Sequence, residues 1–241
     1  MDHDPWFASF LAAGIVSGAW AVLRRGSARG LRKGSLLQAS LLTVLCALLG
    51  AHVAGRMLYE PVRFAADPAG TLLSLGSIAS VGAMAGGLAG VRLAAACGVL
   101  SRQEVLPFLD CVAFTLPWAW SLGRIGCAAA ADHPGPHAAG WFSALYSDGS
   151  RLDMARVEIA VLVPLGVVFL WMDRRAPRPG TFFGLFLLGY GVARLALDAY
   201  RIADPRYWRL TPAQHAAVIA GIAGLALLSR STERAGPRHE A

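Results

Sequence analysis

The chain has 241 residues, of which 56% are apolar and only 15% charged, and its mean hydropathy is +0.50. That balance excludes a water-soluble globular domain. The apolar residues fall into blocks of about 20, too long and too evenly apolar for barrel strands, so the chain reads as an all-α integral membrane protein. A net charge of +7 and a pI near 9.8 raise nucleic acid as a partner. The basic residues lie in the connections between apolar blocks, however, where membrane topology and anionic lipid account for them better.

In chain order the pattern predicts seven spans, over about 6–23, 36–58, 71–98, 107–130, 155–173, 180–200 and 212–229. The third is long and rich in Gly and Ala, which suits a tilt, a bend or a break. No connection is long enough for a separate soluble domain, so residues 1–241 are expected to form a single polytopic domain. Arg24, Arg25, Arg29, Arg32 and Lys33 follow the first span, and Arg174, Arg175 and Arg178 follow the fifth. Arg230, Arg234 and Arg238 follow the seventh. In a seven-span count all three clusters share one side, and positive loops stay in the cytoplasm. The N-terminus is then outside and the C-terminus cytoplasmic. An acidic opening, Met-Asp-His-Asp, with basic residues after the first span argues against a cleaved signal peptide.

With that topology, several arginines lie where the positive-inside tendency would not put them. Arg56 is near the outer end of span two and Arg124 near the outer end of span four. Arg194 is inside span six, with Arg201 about two turns further on. A charge in hydrocarbon costs roughly 2.5–3.5 kcal/mol on insertion scales and marks a functional site by default. The plain alternative is that each guanidinium reaches the interface or pairs with a carboxylate. Arg194 and Asp198, four residues apart, share a helix face and form either a simple ion pair or a held arginine with donors left for a ligand. Guanidinium forks match phosphate oxygens, so two of them converging from different helices make an outer-leaflet phosphate clamp.

His52, within span two, is expected to be hydrogen-bonded in the bundle. Asp132-His133-Pro134-Gly135 reads either as a helix end and turn or as a carboxylate and an imidazole suited to proton transfer. Trp141, Phe142 and Tyr146 in the long loop of about 131–154 suit an interfacial belt or an entrance. Glu158, just inside span five, is a potential partner for an outer arginine. Cys46, Cys97, Cys111 and Cys127 show no metal-ligand or redox spacing and read as packing residues; no metal or cofactor is expected.

Gly123-Arg124-Ile125-Gly126-Cys127, with Asp132 eight and Gly135 eleven residues beyond Arg124, resembles the signature of the prolipoprotein diacylglyceryl transferase family. Gly55-Arg56 with Tyr59 is similar to its second-helix motif, and Gly86-Gly87-Leu88-Ala89-Gly90 to its glycine-rich third-helix motif. Asp110 fits the aspartate that opens the fourth helix in many members. Tyr190-Gly191-Val192-Ala193-Arg194 with Asp198 and Arg201 resembles the penultimate helix, and Leu210-Thr211-Pro212-Ala213-Gln214 the lead into the last. The resemblance implies a bacterial inner-membrane enzyme. Such an enzyme moves diacylglyceryl from phosphatidylglycerol to the lipobox cysteine thiol of a prolipoprotein and releases glycerol phosphate.

By motif, Arg124 and Arg194 would grip the phosphate. Arg56, Tyr59, Gly135, Asp198 and Arg201 would help bind the lipid, and Asp132 and His133 would serve the chemistry. Asp132 and Asp198 stand where the family usually has glutamate. Ala85 stands where it has the histidine of His-Gly-Gly, Cys127 replaces the usual asparagine, and the first span has no Tyr. Those losses leave a second reading, a non-catalytic paralogue that binds anionic phospholipid. A transporter fits less well, since no repeat or midplane charge pattern is present.

Overall fold

The computed structural model describes residues 5–74, 78–202 and 204–233. Arg234, Arg238 and the opening Met-Asp-His-Asp lie outside these residues. Backbone in hydrocarbon must satisfy its own hydrogen bonds, and the apolar blocks do so as helices. These are α1 (Pro5–Ala28), α2 (Lys33–Tyr59), α5 (Ser80–Ala96), α6 (Arg102–Ala130), α7 (Met154–Asp173), α8 (Thr181–Ala199) and α9 (Pro212–Glu233). All but α5 are long and apolar enough to cross a membrane, and α5, at 17 residues, is a shorter apolar helix. The protein is an all-α, multi-pass membrane protein.

Two short helices, α3 (Pro61–Ala66) and α4 (Pro68–Leu73), intervene between α2 and α5. Each opens on a proline, the residue suited to a first helical turn, and the Asp67 side chain caps α4 by accepting from the Gly70 N–H at 2.9 Å. The stretch of about 71–98 is therefore divided. Its first residues belong to α4, and the chain then rejoins α2 where the Ala79 N–H donates to the Ala51 carbonyl at 2.9 Å.

Helices pack in pairs, α2 with α5, α1 with α6 and α8 with α9. The α2–α5 contact is nearly backbone on backbone. A Cβ added at Gly86 would sit 2.1 Å from the Cys46 carbonyl oxygen, and one at Gly82 2.1 Å from that of Gly50. Small residues at this spacing let helices approach closely in lipid, where van der Waals contact drives association. The Gly86 and Gly90 motif thus has a packing role. Gly86→Val is expected to force α5 off α2 and to lower stability by about 3 kcal/mol. Thermal unfolding in detergent micelles tests this, and an unchanged midpoint would contradict the packing.

Between α8, α7 and α6 lies an aromatic core. Phe182 packs edge-on against Phe114 and Phe169, with centroids 5.2 Å apart in each pair, and Phe186 stacks on Tyr190 at 5.3 Å. These contacts fix the Tyr190 ring, whose hydroxyl reaches the site described below.

Contacts also sort the helix ends into two faces. On one, Arg25 of α1 and Arg29 just beyond it pair with Asp173 at the end of α7 at 2.5 and 2.6 Å. On the same face the buried Asp110 of α6 accepts the Gly180 and Phe183 N–H groups at 2.6 and 2.8 Å, capping the start of α8. Asp110 is therefore a structural cap. On the other face, the Tyr207 hydroxyl donates to the Leu58 carbonyl at 3.0 Å, and α6, α7 and α8 meet through Arg124, Glu158 and Arg194. The basic residues at the ends of α1 and α7 therefore share a face.

The long connection holds a sheet that periodicity did not signal. Strands β1 (Pro134–His137), β2 (Ser143–Tyr146) and β3 (Gly149–Asp153) pair antiparallel in the order β1-β3-β2. Helix α6 ends at Ala131 in the left-handed region, with φ 47°. The turn is thus made by Ala131, and Pro134-Gly135 begins a strand instead.

Candidate functional site

The site is built around one carboxylate. Glu158 sits one turn into α7 with 1% of its surface exposed. Its Oε1 accepts the Tyr190 hydroxyl of α8 at 2.5 Å, and its Oε2 accepts Arg194 NH1 at 2.9 Å. Arg124 NH2, from α6, lies 3.0 Å from the same Oε2. Two guanidiniums from different helices are therefore drawn together on one buried anion. Both are almost fully buried, Arg124 at 6% and Arg194 at 4% exposure.

A second carboxylate holds Arg194 from behind. Asp198 Oδ1 is 2.9 Å from Arg194 Nε and 3.6 Å from Arg201 Nε, as ion contacts. Its Oδ2 accepts the Thr211 hydroxyl at 2.6 Å. Thr211 in turn caps α9, accepting the Gln214 N–H at 3.1 Å while its own N–H donates to Gln214 Oε1 at 3.0 Å. Thr-Pro-Ala-Gln is thus a reciprocal capping box that also orients Asp198. Arg201 reaches Asp204 at 3.3 Å.

Three guanidiniums, of Arg124, Arg194 and Arg201, face two buried carboxylates, Glu158 and Asp198, and a third, Asp204, at the margin. Arg124 Nε and one Arg201 terminal nitrogen are buried without a hydrogen-bond partner among the described residues. A buried donor without a partner costs about 1–3 kcal/mol, more when charged. Two donors at the site therefore stand open to an added acceptor.

His133 stands against Arg124. Its Nε2 is 3.1 Å from Arg124 NH1, and its Nδ1 bonds to the Asp132 carboxylate. A guanidinium only donates, so Nε2 must be the acceptor and Nδ1 the protonated nitrogen. The imidazole is thus neutral, with its lone pair aimed at the arginine and its tautomer set by Asp132. Burial pushes the His133 pKa below its ordinary value, and the positive field of Arg124 adds to this.

Ligand atoms of Cys127, Asp132 and His133 lie within 4.8 Å of one another, a proximity the spacing in sequence did not reveal. Arg124 NH1 is 3.7 Å from the Cys127 sulfur and 3.1 Å from His133 Nε2. That fixed cation against both donors opposes a metal cation there.

The other residues singled out in the sequence fall nearby or elsewhere. Tyr59, at the end of α2, is within electrostatic range of Arg194, Asp198 and Arg201. Arg56 is buried, but its donors serve the junction of α2 and α4: one terminal nitrogen pairs with Glu60 and the other donates to the Ser74 carbonyl at 2.8 Å. Gly135 lies in β1, where a Cβ would come within 3.0 Å of the Leu152 carbonyl oxygen. It lets β1 lie close on β3 just after His133. His52 Nε2 bonds to the Leu72 carbonyl at 2.7 Å, a bundle contact. Glu158 and Tyr190 were named in the sequence without being placed in the site, although an intramembrane carboxylate is a signal in itself.

Comparison with known proteins bears on what this arrangement does. The family model described as prolipoprotein diacylglyceryl transferase matches residues 5–230. A phosphatidylglycerol–prolipoprotein diacylglyceryl transferase of Chromohalobacter salexigens is 30% identical over 92% of this chain and 86% of its own. A Clostridium perfringens protein of that name, numbered 2, is 26% identical over 81% of this chain and 78% of its own. One from Ruegeria pomeroyi is 28% identical over 84% and 76%.

Proposed function

The chain belongs to the prolipoprotein diacylglyceryl transferase family, and from that premise we propose how it transfers diacylglyceryl from phosphatidylglycerol to the lipobox cysteine of a prolipoprotein. The bilayer is the bacterial inner membrane, with the basic face cytoplasmic and the arginine site outward, where a secreted acceptor and its signal peptide arrive. The observation that carries the mechanism is the pair Arg124 and Arg194, drawn onto one buried carboxylate beside a neutral imidazole.

In the reaction the acceptor thiol loses its proton and the sulfur attacks the diacylglyceryl carbon that bears the phosphate oxygen. A C–S thioether bond forms and the C–O bond breaks, with its electron pair leaving on glycerol phosphate. Negative charge grows on that leaving phosphate. Arg124 and Arg194 stand ready to stabilise it, from a pocket where such donors act in low dielectric. Thiolate, not thiol, is the nucleophile. His133 Nε2, freed when Arg124 turns its terminal nitrogen onto the phosphate, accepts the thiol proton, and Asp132 balances the imidazolium that results. This dyad fills the role open at Ala85. Asp198, Arg201 and Tyr59 flank the phosphate pocket, and Arg56 and Gly135 shape its surroundings.

Because the His133 pKa is depressed, the base form dominates at neutral pH and persists somewhat below the ordinary histidine value of about 6.5. Transfer is expected to fall only as the pH drops through that acidic range. His133→Asn is expected to lose about 10²–10³-fold in transfer. Its residual rate should then climb with pH as the acceptor thiol itself ionises. The assay supplies purified protein with phosphatidylglycerol and a lipobox peptide, and reads the thioether product by mass spectrometry from pH 5 to 9. Wild-type product with the histidine-dependent acid limb supports the mechanism. A His133→Asn profile identical to wild type would remove His133 as the base. No product from phosphatidylglycerol by folded wild type would remove the activity.

A further inference from the structure

Asp198 has two arginines within reach along its own stretch of chain. Arg194 is four residues before it and Arg201 three after, the two spacings that bring side chains together on one helix face. Helix geometry alone does not choose between them. Asp198 nevertheless favours one, with Oδ1 2.9 Å from Arg194 Nε and 3.6 Å from Arg201 Nε. The selecting contact comes from another helix. Thr211, at the start of α9, donates its hydroxyl to Asp198 Oδ2 at 2.6 Å. The same hydroxyl oxygen accepts the Gln214 N–H at 3.1 Å, so its single proton is left for the carboxylate. Thr211 is itself held. Its N–H donates to Gln214 Oε1 at 3.0 Å, and Gln214 Nε2 donates to the carbonyl of Leu195, the residue after Arg194, at 3.0 Å. Thr211 and Asp198 are both fully buried. A chain of bonds thus leaves α8 beside Arg194, crosses the start of α9 and returns at Asp198.

We propose that Thr211 is a positioning residue for transfer: its hydroxyl keeps the Asp198 carboxylate on Arg194 and off Arg201, and so fixes the guanidinium that meets the phosphate. The inference rests on the phosphate clamp described above. Without the hydroxyl, Oδ2 loses its donor in a buried site, a cost that the carboxylate escapes by turning. Arg201 offers what it needs, because its NH2 is buried without a hydrogen-bond partner among the described residues. The fork of Nε and NH2 matches both oxygens of one carboxylate. Arg194 would then keep Glu158 alone, through NH1, and could swing about that contact.

The test is a double-mutant cycle on transfer by the full chain in detergent micelles, with phosphatidylglycerol and a lipobox peptide. Thr211→Val keeps the shape of the side chain without its hydroxyl. It is expected to lose about 10–100-fold in kcat, the range for a hydrogen bond to a charged group, and Thr211→Ser to restore transfer. Thr211→Asp still caps α9 but only accepts, and should lose transfer as well, which separates the effect from the cap. In an Arg194→Lys background Thr211→Val is expected to cost little more, because lysine lacks the Nε that Asp198 holds. The thermal midpoint should fall by the same amount in both backgrounds. Full multiplication of the two losses in transfer, or a Thr211→Ser no better than Thr211→Val, would assign Thr211 to the helix cap alone and overturn the proposal. So would wild-type transfer by Thr211→Val beside a crippled Arg194→Lys. Wild-type transfer by Arg194→Lys would instead remove the clamp itself, and this inference with it.

Discussion

Glu158→Ala is expected to lower the stability of the protein by about 3–5 kcal/mol and to abolish transfer. Breaking a buried ion pair by removing one partner costs that much because it strands the other charge. Here one carboxylate at 1% exposure serves two guanidiniums and a phenol, from α6 and α8. Without it, Arg124 and Arg194 become like charges facing each other in low dielectric, and the Tyr190 hydroxyl loses its acceptor. At roughly 2–4 °C per kcal/mol for a chain of this size, the thermal midpoint should drop by about 10 °C. Phosphatidylglycerol should raise the midpoint of Glu158→Ala more than that of wild type, because its phosphate supplies the missing anion. Equal midpoints for variant and wild type, or no extra stabilisation by lipid, would show that Glu158 is not the counter-ion.

Arg124→Lys and Arg194→Lys are each expected to lose about 10²–10³-fold in transfer, the usual cost of one preorganised oxyanion donor. The charge is conserved, but the fork is not. Arg194 uses one terminal nitrogen on Glu158 and its Nε on Asp198, and a lysine ammonium cannot keep both contacts and also face a phosphate. Arg124 likewise touches Glu158 through one terminal nitrogen and His133 through the other. Lysine at 124 therefore disturbs the base as well as the clamp, and its pH profile should shift while that of Arg194→Lys should not. Transfer within a few-fold of wild type in both variants would end the clamp as an explanation.

Much of the fold was legible because spans are set by hydrocarbon thickness, which acts on local composition. Six of the expected spans coincide with long helices, the largest differences being at the end of α1 (Ala28) and the start of α6 (Arg102). The break between α4 and α5 was legible only as Gly and Ala richness, since what fixes it is non-local: Arg56 on the Ser74 carbonyl and Ala79 on Ala51. The sheet escaped notice because its strands are four or five residues long and two prolines occupy β1.

In the site, Arg124, Arg194, Asp198 and Arg201 were visible as charges out of place in apolar helices. Asp132 and His133 were visible as a helix end of unusual composition. Glu158 was visible as a potential partner for an outer arginine, which it is, but its role as a hub was not, because its partners come from two other helices and no spacing along one chain records that convergence. Arg56 looked equivalent to Arg124 by depth alone. What separates them is Glu60, four residues on, which draws Arg56 into a structural pair.

Release of glycerol phosphate together with the thioether-linked peptide, from phosphatidylglycerol and a lipobox peptide, tests the central claim most directly when wild type is compared with Arg194→Gln. Stoichiometric formation of both products by wild type, and neither by a folded Arg194→Gln that still unfolds cooperatively, is the predicted result. Formation of both products at the wild-type rate by Arg194→Gln would contradict the phosphate clamp on which the mechanism stands.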